Sequence, residues 1–184
     1  MHDWYWRYQQ QNDCADGKQL EILMDSGLVQ VLEYQVRHLR QDMPGECAFS
    51  VDDAEFFNTV IDYQEQYSPF SPTEQLLIAL HAAAIARFGK PLMPQSWHFQ
   101  TGLVDPWPNE HRFCALNSGF AKGNFLIIET DDRTALCMLV DPGFEVSTTK
   151  VMRRYDVIRV LKDRLLSSDF HAVAATHDHW QQFA

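Results

Sequence analysis

The sequence predicts an α+β fold, in which an N-terminal α/β subdomain (a β-meander plus two helices) packs on a C-terminal β-barrel-like subdomain with a short helix. Two observations predict it. Apolar residues recur at helical spacing through two long stretches between residues 52 and 89, whereas short β-like runs bounded by turn residues follow after residue 90. The 184 residues suffice for two small domains, which we place at 1–92 and 93–184.

The N-terminal third is predicted to be the β-meander. Residues 4–8 are rich in aromatic side chains, which favour strands. The apolar runs 20–24 and 28–32 flank Asp25-Ser26-Gly27, whose glycine can adopt a positive φ, so this pattern predicts a hairpin. Residues 35–46 have mixed polarity and predict a short helical turn plus a loop.

The first helix is predicted from about residue 52 to residue 64. Ser50 and Asp53 are the residues that can cap its start, because short polar side chains accept hydrogen bonds from the free N–H groups of the first turn. Its broad apolar face would consist of Phe56, Phe57, Val60, Ile61 and Tyr63.

The second helix has the strongest boundary signals in the chain. Ser71 is the expected N-cap, Pro72 fits the first helical position, and Glu74 completes a capping box. Gly89 stands where a left-handed C-cap would end the helix. The residues expected to face a core are Leu76, Leu77, Leu80, Ala84 and Phe88.

The C-terminal half is predicted to be mainly β. The expected strands cover residues 97–100, 112–116, 125–130, 134–140 and 145–152. Asp131-Asp132 predicts a tight hairpin turn, and Pro142-Gly143 ends that hairpin. Residues 155–166 predict a short amphipathic helix that turns Ile158, Leu161 and Leu165 inward.

Charge and hydropathy exclude two classes of partner. The chain has 15 Lys and Arg against 25 Asp and Glu, a formal charge of −10, so its field repels nucleic acid. Apolar runs are too short for a membrane span, and the N-terminus lacks the pattern of a signal peptide. We therefore expect a cytoplasmic protein.

Familiar catalytic and cofactor motifs are missing from the sequence. It contains no phosphate-binding glycine loop, no G-x-S-x-G elbow and no H-E-x-x-H helix. The four cysteines lie far apart and form no C-x-x-C pair, so we expect reduced thiols. The prediction is a protein with no catalytic residues, no cofactor and no metal.

Two further hypotheses from the sequence concern a metal site and a catalytic nucleophile. Residues of the tail, namely His171, His177, Asp178 and His179, have side chains that could bind a transition metal, but a terminal segment rarely holds ligands rigidly. His111 and Cys114 could form a nucleophilic pair, yet three positions apart on a strand they would point to opposite faces.

A cluster of basic residues is the first candidate for a partner-binding surface. It consists of Lys150, Arg153, Arg154, Arg159, Lys162 and Arg164. Such a local patch can hold an acidic partner within an otherwise acidic protein. The alternative is a solvated helix face whose charges Asp156 and Asp163 balance.

The segment from Lys90 to Phe99 is the second candidate. It reads KPLMPQSWHF, and its two prolines stiffen a connector that presents Met93, Trp97 and His98. Methionine, aromatic and basic side chains are typical of protein-binding hot spots. The alternative is that Trp97 and Phe99 only fill the gap between the two subdomains.

Five segments in order resemble a known family. They read WYWRY (4–8), FSVDDA (49–54), KPLMPQSWHF (90–99), ALCML (135–139) and DVIRVLKDRL (156–165). Their joint order and spacing are similar to the ZapC family of cell-division proteins, over nearly the whole chain. None of these strings is a catalytic signature.

The resemblance implies a non-catalytic cytoplasmic monomer at the mid-cell division ring. It implies binding to the tubulin-like GTPase FtsZ, lateral bundling of FtsZ protofilaments and restrained GTP turnover. It also implies an α/β N-terminal part, a β-barrel-like C-terminal part, and contacts made by basic residues around the Pro-x-Met-Pro segment. Lys90 matches one such residue, whereas Gln95 replaces the lysine that is usual at a second position.

Two other classes of function stay open on the sequence. One is a small cytosolic hydrolase or transferase that uses His98 or Cys114. The other is a ligand-binding module whose pocket lies between the two parts of the chain.

Overall fold

The computed structural model describes residues 3–10, 18–34 and 36–174, and these form two compact units. The N-terminal unit takes the chain up to residue 66 together with 70–91, and the C-terminal unit takes 67–69 and the chain from residue 92. The predicted division into domains 1–92 and 93–184 stays a prediction, because compactness alone does not show that a unit folds by itself.

The described residues form ten strands and two α-helices. In chain order the elements are β1 (Tyr5–Gln10), β2 (Lys18–Leu23), β3 (Val29–Val31), β4 (Glu46–Ala48), α1 (Val51–Tyr67), α2 (Pro72–Phe88), β5 (Phe113–Asn117), β6 (Lys122–Thr130), β7 (Thr134–Leu139), β8 (Gly143–Glu145), β9 (Val151–Arg153) and β10 (Val157–Leu161). Three short 3₁₀ helices lie at Val36–His38, Ser96–His98 and Lys162–Arg164. This composition confirms the predicted α+β class.

The N-terminal sheet is antiparallel, with the strand order β3-β2-β1-β4. The predicted hairpin is confirmed, since β2 and β3 pair around a turn in which Gly27 has a φ of +74°. The helical turn expected within residues 35–46 is also present, but β4 was missed there. One sheet face supplies buried side chains to the core of the unit, namely Trp6, Leu20, Ile22 and Leu32.

Helix α1 begins as the sequence predicts. The Ser50 hydroxyl accepts from the Asp53 backbone N–H at 3.1 Å, and the Asp53 carboxylate accepts from the Ser50 N–H at 2.8 Å. This reciprocal pair satisfies two N–H groups at the helix start. The helix continues to Tyr67, three residues beyond the predicted end.

Helix α2 confirms its predicted capping box, in which Ser71 and Glu74 exchange hydrogen bonds. The prediction of a left-handed C-cap at Gly89 was wrong, because this residue has a φ of −63°. A Cβ at Gly89 would lie 2.6 Å from the Ile85 carbonyl oxygen, so the position requires glycine for space rather than for φ. Every residue from 78 to 85 is buried, whereas Leu76 and Leu77 are only half-buried.

The C-terminal unit contains an antiparallel sheet of order β10-β7-β6-β5 and the hairpin β8-β9. The predicted hairpin at Asp131-Asp132 is confirmed. The Asp131 carboxylate accepts hydrogen bonds from the Thr134 hydroxyl and from the Arg133 and Thr134 N–H groups, and these lower its pKa to about 2. Ala115 and Leu166 form an isolated bridge at the β5 edge, but the described strands do not close into a barrel.

The helix predicted over residues 155–166 was wrong, because this stretch forms β10 and a 3₁₀ turn. Tyr155 has a φ of +72°, which no α-helix allows. In β10 the buried side chains Ile158 and Val160 alternate with half-buried neighbours, as the period of a strand requires. Pairing with β7 therefore decides the structure of a sequence that also fits a helical pattern.

Two predicted strands also differ from the structure. Residues 97–100 do not form a strand, because Ser96–His98 is a 3₁₀ helix that the Phe99 N–H closes on the Ser96 carbonyl at 3.0 Å. Residues 145–152 do not form one strand either. They span the turn between β8 and β9, which the Val146 N–H and the Lys150 carbonyl close at 2.9 Å.

Candidate protein-binding surface

The segment from Met93 to His98 is fixed on strand β10 within the C-terminal unit. The Gln95 N–H donates to the Arg159 carbonyl at 2.8 Å, and the Leu161 N–H donates to the hydroxyl of buried Ser96 at 2.7 Å. These two bonds attach the middle of the segment to β10. The stiff connector expected from Pro91 and Pro94 is thus anchored to a rigid element.

Two large apolar side chains of this segment project into solvent. Met93 is 81% exposed and Trp97 is 73% exposed. Phe99, by contrast, lies in the hydrophobic core of the C-terminal unit. Trp97 is therefore a surface residue, whereas Phe99 is the one of the two that fills a core.

Lys150 joins the segment from the β8-β9 turn. Its ammonium group donates to the Gln95 side-chain oxygen at 2.5 Å, and partial burial lowers its pKa. Partial burial and, to a smaller degree, the charge of Lys150 also lower the pKa of His98. Gln95 can accept this hydrogen bond, which a lysine at position 95 could not do.

Val151 follows Lys150 in the chain and is an apolar residue that is 64% exposed. We call the group Met93, Trp97, His98, Lys150 and Val151 the Trp97 surface. It combines a tryptophan, a methionine, an imidazole and a cation on elements that backbone hydrogen bonds hold in place. No short sequence pattern could have joined these residues, because Gln95 and Lys150 are 55 positions apart.

The alternative that the basic residues form a solvated helix face is wrong, because residues 157–161 form β10 and residues 162–164 form a 3₁₀ turn. Arg159 bonds the Thr134 hydroxyl at 2.9 Å and pairs with Glu129. Arg154 donates to the Val140 carbonyl at 2.9 Å, and Arg164 pairs with Asp163 at 3.5 Å. These side chains stabilise the unit.

The other three predicted basic residues are placed apart from one another. Exposed Arg153 ends β9, and half-buried Lys162 begins the 3₁₀ turn after β10. Lys90 belongs to the N-terminal unit, where its N–H donates to the His38 carbonyl at 3.0 Å. Among the described residues, the side chain of Lys150 bonds to the 93–98 segment, whereas Arg159 contacts it through its backbone carbonyl.

The nucleophile suggested at Cys114 has the wrong environment for catalysis. Cys114 is fully buried, and its sulfur lies 3.9 Å from the sulfur of buried Cys137. Burial raises the pKa of the Cys114 thiol well above its ordinary value. A thiol that is both protonated and inaccessible is not a nucleophile.

The metal site suggested in the tail lies partly outside the described residues, which do not include His177, Asp178 and His179. His171 is described, and its ring stacks on that of His111 at 3.7 Å. Within the described part of the chain no three His, Cys, Asp or Glu side chains are grouped as metal ligands. None of the helices described there has the length and apolar character that crossing a membrane requires.

Comparison with known proteins places nearly the whole chain in one family. The family model for the N-terminal part of cell-division protein ZapC matches residues 1–90, and the model for its C-terminal part matches residues 91–170. A ZapC from Idiomarina loihiensis is 41% identical over 138 residues, which are 74% of this chain and 75% of that protein.

More distant relatives carry the same name. A ZapC from Aliivibrio salmonicida is 31% identical over 165 residues, covering 88% of both chains. One from Photobacterium profundum is 30% identical over 177 residues, which are 94% of this chain and 93% of that protein. With both family models and these relatives in agreement over nearly its full length, the chain belongs to the ZapC family of cell-division proteins.

Proposed function

We propose that this protein binds polymers of the tubulin-like GTPase FtsZ through the Trp97 surface, and so promotes their lateral bundling at the division ring. Its membership in a family of cell-division proteins supports a partner in the division machinery. The exposure of Trp97, at 73%, is the observation that carries the proposal for the site.

The composition of the Trp97 surface suits a protein partner. Burial of a tryptophan and a methionine removes a large apolar area from water, while the stiff backbone limits the entropy lost on binding. Lys150 adds a positive charge beside them in a chain whose formal charge is −10. The positive charge of Lys150 attracts an acidic patch on the partner, even though the net negative charge of the whole chain repels acidic proteins.

A preference for the polymer stabilises it, and lateral bundling needs a second binding surface in addition. A protein that binds assembled FtsZ better than free FtsZ stabilises the polymer by mass action and restrains GTP turnover without any catalysis of its own. A monomer that bridges two filaments needs two binding surfaces. We assign the second to the region of Lys90, which belongs to the N-terminal unit. The protein would act in the cytoplasm, at mid-cell.

Co-sedimentation with FtsZ and GTP tests the proposal. We expect the protein to pellet with the polymers, to increase light scattering and to lower the rate of phosphate release. If the protein stays in the supernatant and light scattering matches that of FtsZ alone, the proposal is wrong.

Reversal of a single charge then tests the second surface. Lys90→Glu should reduce light scattering more than it reduces pelleting, since one surface would still bind a filament. Lys122→Glu is the matched control, because Lys122 is an exposed lysine of the C-terminal unit that lies outside the Trp97 surface. Equal scattering from both variants would remove Lys90 from the site.

A further inference from the structure

A cleft of about 410 Å³ opens in the C-terminal unit and shares no lining residue with the Trp97 surface. The loop before β5 forms one side, the end of β6 forms the other, and Lys162 lies at the cleft as well. This volume falls within the range of about 300 to 1,000 Å³ that is typical of pockets for small molecules.

The apolar wall of the cleft includes two neighbouring residues of β6. Ile127 pairs with Cys137 and Glu129 pairs with the adjacent residue of β7, Leu136, so Ile128 is an extra residue in the ladder. Both isoleucines line the cleft, and Ile127 also belongs to the hydrophobic core of the unit. Bulges of this kind are common beside binding sites.

The facing loop is held by its own hydrogen bonds. The Trp107 indole N–H donates to the His111 carbonyl at 2.9 Å, and the His111 N–H donates to the Pro108 carbonyl at 3.1 Å. Trp107 is buried, and all three residues line the cleft. The apolar surfaces on both sides are therefore formed before any ligand arrives.

The polar groups of the cleft favour an anion. Lys162 makes no ion pair with a described residue, and Arg112 brings a second cation to the lining. Glu129 is the acidic residue of the lining, but its carboxylate pairs with Arg159. The lysine charge is thus available to a negatively charged ligand.

From this arrangement we infer that the cleft binds a small organic anion with an aromatic or apolar part. The anionic group lies against Lys162 and Arg112, and the apolar part contacts the wall of Ile127 and Ile128. The site is separate from the proposed binding of FtsZ and does not depend on it. Either a carboxylate or a phosphate ester meets the requirement.

NMR titration of the ¹⁵N-labelled full chain tests the inference, with phenyl phosphate and benzoate as probes. We expect saturable shifts at residues 107–112, 127–130 and 162 with at least one of them, and the better probe identifies the anionic group. Inorganic phosphate and benzyl alcohol should each bind at least about tenfold more weakly, because the first lacks the apolar part and the second lacks the anionic group.

A charge-removing variant makes the test specific. Lys162→Gln should weaken the better probe at least about fivefold, whereas Lys122→Gln, at an exposed lysine outside the cleft, should leave its affinity unchanged. Three outcomes would overturn the inference: no saturable shift in the cleft, equal effects of the two variants, or inorganic phosphate binding as tightly as phenyl phosphate.

Discussion

The Trp6 indole N–H donates to the Asp53 carboxylate at 3.0 Å and thereby ties strand β1 to the first turn of α1. Asp53 is only 6% exposed, and its carboxylate also accepts the Ser50 N–H at 2.8 Å and pairs with Arg87. Arg87 in turn donates to the Ala48 carbonyl of β4 at 2.8 Å. One buried carboxylate thus connects two strands and both helices of the N-terminal unit.

Loss of this carboxylate should destabilise the N-terminal unit. Asp53→Ala leaves the Trp6 and Ser50 donors and the Arg87 charge without their partner, so we expect the free energy of unfolding to fall by about 2 to 4 kcal/mol. Asp52→Ala, at the exposed neighbouring residue, should cost less than about 1 kcal/mol. Urea denaturation followed by tryptophan fluorescence measures both, and equal midpoints for the two variants would contradict this account.

Acid should weaken the protein through His81. This imidazole is buried, accepts from the Glu33 N–H at 3.0 Å and lies 2.6 Å from the Leu77 carbonyl, and burial lowers its pKa from 6.5 to about 4. The unfolded chain therefore takes up a proton before the folded one. Stability from this group is fully present above pH 6.5 and is lost as the pH falls toward 4.

Chemical denaturation of the wild type and His81→Gln, at several pH values, checks this assignment. His98 and His171 also have lowered pKa values and contribute in the same direction. The slope of the unfolding free energy against pH should therefore be smaller in the variant, but not zero. An unchanged slope between pH 6.5 and pH 4 would rule His81 out as its main source.

Gly89 should not tolerate a side chain. Because a Cβ there would lie 2.6 Å from the Ile85 carbonyl oxygen, Gly89→Ala must displace the end of α2, and we expect a loss of about 1 to 3 kcal/mol. Gly45→Ala is the control, since a Cβ at Gly45 meets no atom within 4 Å. Thermal melts compare the two, and a Gly89→Ala protein as stable as the Gly45→Ala protein would refute the steric argument.

Local signals predicted the helices well. The capping box of Ser71 and Glu74 and the cap of Ser50 and Asp53 depend on residues three positions apart, so the sequence itself contains the whole interaction. Strand β10 was missed for the opposite reason. Its segment also fits a helical pattern, and pairing with β7, whose partner residues lie 19 to 27 positions earlier in the chain, decides between the two.

The candidate site, like strand β10, depends on contacts between residues far apart in the sequence. The composition of the 90–99 segment indicated a binding anchor, but only the fold shows that Trp97 is exposed while Phe99 is buried. The contact of Lys150 with Gln95 joins residues 55 positions apart, and no periodicity encodes it. The alternative that these basic residues form a solvated helix face is wrong, because residues 157–161 form strand β10 and the Arg159 side chain bonds to Thr134 of β7.

The central claim is that Trp97 anchors FtsZ polymers, and one titration tests it most directly. Co-sedimentation at rising FtsZ concentration compares the wild type, Trp97→Ala and Leu103→Ala, where Leu103 is a 75% exposed apolar residue outside the Trp97 surface. We expect Trp97→Ala to weaken binding at least about tenfold, and Leu103→Ala to stay within about twofold of the wild type. A Trp97→Ala protein that is folded and binds as tightly as the wild type would contradict the claim.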